Sequence, residues 1–122
     1  MIIFDANMIL RYLLDDDQMM SEKAEEYLNT NRVRVTIEVI AEVVYVLKGV
    51  YKLERKEISQ ILKDFLTLVE CQEKEVLNLA LDTYSNHNLD FIDSVLYSYN
   101  KVKNIEIATF DKKLLKLISS NN

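Results

Sequence analysis

A chain of 122 residues with a formal charge of −5, almost half hydrophobic and 29% charged, reads as one soluble α/β-sized domain (residues 1–122) with material for a proper core. One Gly and no Pro exclude a glycine-rich phosphate loop and a dinucleotide fingerprint, and a lone Cys71 excludes an internal disulfide. The acidity opposes sequence-blind binding of nucleic acid, and with no leader or span-length apolar run the expected location is cytoplasmic, with no membrane partner.

The chain opens on Ile2-Ile-Phe4, a continuous β-favouring run of the kind buried on both faces, and ends it on Asp5. Asn7 precedes a helix over Met8–Leu14. In an open α/β sheet, groups at the carboxyl ends of strands face the ligand crevice, so Asp5 is either a site residue or a helix cap. Asp15-Asp-Asp17 is a solvated turn, lacking the spaced ligands and Gly of a calcium loop. A polar amphipathic helix over Gln18–Asn29 leads to a short strand at Val33–Thr36. The helix Ile37–Val50 is apolar around most of its circumference, so it is central; Glu38, Glu42, Tyr45 and Gly49 make its least apolar stripe. Further helices are expected over Lys52–Leu68, with Ile58, Ile61, Leu62, Phe65 and Leu66 on one face, and over Lys74–Tyr84, with Val76, Leu77, Ala80, Leu81 and Tyr84 buried. A brief strand is expected at Leu68–Cys71. His87 sits between two Asn at a helix end and reads as a surface residue. Asp90 looks like the cap of a helix over Phe91–Val102. Ile105–Thr109 is the clearest second strand, followed by Asp111 and a last helix through Ile118. Strands separated by helices imply parallel pairing, and the fold class is α/β.

Four acids stand where solvation is not the obvious explanation: Asp5, Glu42, Asp93 and Asp111. Each has a plain alternative. Asp5 and Asp111 cap helices, Glu42 lies on a wet stripe, and Asp93 is a first-turn acid that the helix dipole keeps ionised at little cost. Taken together they suggest a cluster. Two carboxylates ~5 Å apart repel by roughly 3 kcal/mol at an effective dielectric of about 20, so a cluster protonates or takes up a cation. All-oxygen ligation favours Mg²⁺ or Mn²⁺, and such a site suits phosphodiester hydrolysis by metal-activated water.

The order Phe4-Asp5-Ala-Asn7, Ile40-Ala-Glu42-Val-Val-Tyr-Val-Leu47, Phe91-Ile-Asp93-Ser-Val-Leu96 and Thr109-Phe-Asp111 resembles the PIN-domain nucleases, and is most similar to the VapC-type ribonuclease toxins of toxin–antitoxin pairs. The resemblance covers nearly the whole chain. It implies a three-layer α/β/α sandwich around a parallel sheet of four or five strands. It implies that Asp5, Glu42, Asp93 and Asp111 hold one or two divalent metals, with Asn7 and Thr109 in support. Asp90 competes with Asp93 as the third acid; the Ser94-Val-Leu-Tyr continuation favours Asp93. The implied substrate is RNA, and the implied partners are a small antitoxin and a second copy in a homodimer. Lys48 and Lys52, with Arg55 and Lys56, make one candidate basic region for the substrate, and Arg11 stands apart on the first helix; Lys101, Lys103, Lys112, Lys113 and Lys116 make another region. A receiver-like phosphoacceptor domain shares the length and an acidic pocket, but neither its acceptor Asp nor its Lys can be placed. A PIN-like module with a silent site is the other alternative.

Overall fold

In the computed structural model, which describes residues 1–120, seven helices surround a very short parallel sheet. Strand β1 (Ile2–Ile3) pairs with β2 (Val33–Arg34) in the register Ile2 with Val33 and Ile3 with Arg34. The Ile2 and Phe4 amides donate to the Arg32 and Arg34 carbonyls at 2.9 and 3.1 Å. The strand expected at Leu68–Cys71 is reduced to one parallel bridge between Arg34 and Glu70, reinforced by a two-pronged Arg32–Glu70 ion pair. The other edge of β1 has no strand partner among the described residues, and Ile3 is 60% exposed there.

A sheet of four or five strands is therefore not what these residues build. Ile105–Thr109 runs outside any ladder. Asn104, in left-handed conformation at φ 56°, stops the preceding helix, and the Asn100 side chain donates to the Ile105 carbonyl at 3.0 Å. Only Ile107 of the two isoleucines finds a hydrophobic neighbourhood; Ile105 is half exposed. β-favouring composition does not make a strand where no partner edge meets it.

The helices follow their sequence signals closely. Helix α1 (Ala6–Leu14) begins two residues earlier than expected because Asp5 caps it, and α2 (Gln18–Thr30) is capped by Asp17. In the turn between them, Asp15 has left-handed backbone and Asp16 grips Arg11; all three Asp are exposed, as a solvated turn requires, though two of them are also bonded. Helix α3 (Ile37–Gly49) starts on Thr36 and buries Ile40, Ala41, Val43, Val44 and Leu47, leaving the Glu38, Glu42, Tyr45 and Gly49 stripe outside. Helix α4 (Arg55–Leu66) starts three residues late: Lys52 takes positive φ, and a Glu54–Glu57 capping box fixes the true start. Ile58, Leu62, Phe65 and Leu66 are buried and Ile61 is half-buried. Helix α5 (Lys74–Asn86) buries all five residues expected of it, and His87 is its exposed C-terminal cap.

Helix α6 (Phe91–Lys103) packs on α5, with the Ser98 hydroxyl donating to the Val76 carbonyl and Tyr84 meeting Phe91 edge to face at 5.9 Å. Helix α7 (Lys112–Ser120) docks through Leu114, fully buried against Leu89 and Tyr97, in a small core separate from the main one. Among the described residues no helix is long and apolar enough to cross a membrane.

Candidate active site

Each of the acids singled out in the sequence is placed by a helix start or a helix face. Asp5 leaves β1 in extended conformation and accepts the Met8 amide at 2.8 Å, which satisfies one of the free donors at the start of α1. It is exposed, as is Asn7, and both line a hollow with Met8, Arg11, Met20 and Lys23. Arg11 is already engaged there. It bonds both Asp16 oxygens at 2.9 Å and reaches the Tyr51 hydroxyl at 3.5 Å.

The second group lies at the starts of α6 and α7. Asp90, Asp93 and Asp111 line one polar hollow with Arg55, Asn88, Leu89 and Lys113. Asp111 accepts the Leu114 amide at 2.8 Å, capping α7, while its own amide donates to the Thr109 hydroxyl at 3.0 Å. Thr109 thus shapes the turn that presents Asp111. Asp90 stands at the cap position of α6, yet its carboxylate makes no capping bond; its backbone carbonyl receives the Ser94 amide and hydroxyl at 2.9 and 3.0 Å instead. The cap function expected of the Asp90 side chain is therefore absent.

Asp93 differs from its neighbours in electrostatics. Burial, then the charge of Asp111, then that of Asp90, push its carboxyl above the usual carboxylate range. Its place in the first turn of α6 does not prevent that rise, which follows from burial and two like charges. The same field reaches α3. Burial first, then Asp90 and Asp93, raise the Tyr45 hydroxyl, one turn beyond Glu42 on the exposed stripe.

The four acids expected to converge are thus divided. Asp93 and Asp111 share a hollow with Asp90, Asp5 and Asn7 share another, and Glu42 is exposed on α3 outside both. Among the described residues, no three His, Cys, Asp or Glu side chains stand close enough to enclose a metal ion. The physical reason is the missing pairing: Asp5 and Asp111 end segments expected to be neighbouring strands, and those segments do not pair. The donor chemistry at α6 and α7 still suits Mg²⁺ or Mn²⁺, hard cations bound through one or two carboxylates with several waters retained. A charge held at a cost, with two more carboxylates beside it, is what a divalent cation relieves.

Two cations at this hollow were grouped elsewhere by sequence position. Arg55 reads as one of a cluster with Lys48 and Lys52, yet it faces the α5–α6 turn. The available signal was its place in the first turn of α4, where the helix dipole disfavours a cation and some other partner is required.

The PIN domain family model matches residues 2–118, nearly the full chain. The chain belongs to the PIN domain family. PIN domains are generally nucleases that typically use divalent metal ions, and the α/β class expected from the sequence is the class of this family. No curated protein matches the chain, and no solved structure does.

Proposed function

We propose that this PIN domain is a metal-dependent endoribonuclease whose hydrolytic site is built on the starts of α6 and α7. One observation carries the reading: Asp93 is half-buried between Asp111 and Asp90 in a polar hollow, so its charge is costly until a cation arrives. A bound Mg²⁺ or Mn²⁺ supplies an activated water and offsets the charge of the phosphodiester. Asp93 and Asp111 would hold the ion, with Thr109 supporting them by shaping the Asp111 turn; Asp5, Asn7 and Glu42, which lie outside this hollow, are proposed to join the site only in the metal-bound protein. Tyr45 ties the Glu42 stripe to this field. Lys113, which lines the hollow, would meet the RNA backbone; Lys48 and Lys52, exposed at and just beyond the end of α3, would extend that role. Arg11 contributes less, since Asp16 already occupies its guanidinium. From the likeness to VapC-type toxins we further propose a cytoplasmic toxin, held by a small antitoxin and working as a homodimer.

A silent binding module is the second reading. It is favoured by the caps, since Asp5 and Asp111 each already accept a backbone amide. Mn²⁺ titration followed by paramagnetic broadening of amide signals, with RNA cleavage measured in parallel, separates the two. The expected result is metal-dependent cleavage with broadening centred on residues 90–94 and 109–114 and extending to Asp5 and Glu42. Broadening confined to α6 and α7 removes Asp5 and Glu42 from the site. No broadening and no cleavage at millimolar Mn²⁺ overturns the nuclease reading.

A further inference from the structure

Arg55 makes an unusual set of contacts for a surface helix start. Its Nη1 donates to three carbonyls of one turn, those of Tyr84 at 3.0 Å, His87 at 2.9 Å and Leu89 at 2.7 Å. Its Nη2 reaches the Asn88 side-chain oxygen at 3.5 Å, and the guanidinium carbon lies 4.2 Å from the centre of the Tyr84 ring. The guanidinium shares its hollow with Asp90, Asp93 and Asp111, yet it forms no ion pair with them among the described residues. Its donors go to three backbone oxygens and one amide oxygen, none of them a carboxylate. The acids are left to repel one another.

The turn that Arg55 holds is the common reference for both acid-bearing helix starts. On one side, residue 90 begins α6, three residues before Asp93, and Phe91 is anchored edge to face on the same Tyr84 ring that Arg55 covers. On the other side, Leu89 packs in the small core with Leu114, whose amide Asp111 caps. A shift of the 84–89 turn therefore moves α6 directly and α7 through Leu89 and Leu114.

We infer that Arg55 is a positioning residue for the nuclease reaction, fixing the separation of Asp93 and Asp111 by clamping the carbonyls of the 84–89 turn. The assignment rests on the nuclease reading above for its catalytic meaning. Its geometric meaning, the coupling of the two helix starts, is independent of activity. Lysine does not replace this side chain: a point charge on a flexible stem lacks both the planar fork and the stacking surface. A role limited to capping the end of α5 would also use these carbonyls, but it would leave α7 untouched.

The test compares Arg55→Ala and Arg55→Lys with the wild type in amide hydrogen exchange and in RNA cleavage with saturating Mn²⁺. Both variants are expected to exchange faster at residues 86–94 and at 111–115, with α1 and α3 unchanged. The kcat is expected to fall by roughly 10²-fold for Arg55→Ala, as for a misplacement of about 1 Å, and less for Arg55→Lys, with KM for RNA nearly constant. Unchanged exchange at 111–115 overturns the coupling, and faster exchange there with unchanged kcat overturns the positioning role. A rise in KM at constant kcat overturns that role too, and makes Arg55 a phosphate-binding group. If Arg55→Ala does not fold, Arg55→Lys carries the same comparison. If the wild type does not cleave RNA, the nuclease reading fails while the exchange at 111–115 still decides the coupling.

Discussion

Asp5 and Asp93 both sit where a helix begins, and the molecule treats them differently. Asp5 is exposed and accepts one amide at 2.8 Å, so its charge is compensated by water and by the start of α1. Asp93 is half-buried, makes no side-chain hydrogen bond among the described residues, and has two carboxylates for neighbours. The difference teaches that a helix start is not by itself a site. What marks a site is charge that the fold leaves uncompensated.

The largest effect is expected at Asp93. Asp93→Asn keeps the shape and removes the charge, so RNA cleavage should drop to background and Mn²⁺ should no longer raise the melting temperature. Full cleavage by this variant would erase the contrast with Asp5. The same substitution has a pH signature. The folded Asp93 holds its proton above the usual carboxylate range, so as pH rises the unfolded chain ionises first and the metal-free fold loses stability until folded Asp93 has also ionised. Melting temperature against pH should show that decline in the wild type, and Asp93→Asn should flatten it.

Asp5 gives the next largest effect and sharpens the contrast. Asn caps as well as Asp, so Asp5→Asn should leave urea stability nearly unchanged, while Asp5→Ala should cost about 1 kcal/mol. If Asp5→Asn also lowers cleavage, Asp5 joins the site in the working state; if cleavage survives, its role is the cap alone. The smallest effect is expected at Asp90. With no amide bonded to its carboxylate, Asp90→Ala should change stability by less than about 0.5 kcal/mol, where a true cap would lose about twice that. A larger loss in urea unfolding would return Asp90 to the capping role.

Much of the helical framework was legible because its signals are local. The α5 face of Val76, Leu77, Ala80, Leu81 and Tyr84 is buried as its spacing predicts, and the α3 stripe with Glu42 is exposed. Asp17 and Thr36, read as part of a solvated turn and as a strand end, instead cap α2 and α3. What failed is non-local. Nothing in Ile105–Thr109 reveals that its strand-like composition meets no free edge, and with that pairing absent Asp5 and Asp111 do not become neighbours. Of the acids singled out in the sequence, Asp93 and Asp111 line one hollow, while Asp5 and Glu42 lie outside it for want of that pairing. Asp90 misleads in another way: its cap position follows from sequence, but its side chain makes no capping bond there.

The unpaired side of β1 has a consequence for how the protein behaves at high concentration. An edge with no strand partner among the described residues, beside an exposed Ile3, invites a strand from another molecule, the first step of edge-to-edge aggregation. Here the edge is only two residues long, too short to seed a growing sheet, and a charge of −5 repels incoming copies. Brevity is thus the strand's protection, and a substitution that extended the ladder beyond Phe4 would trade solubility for sheet.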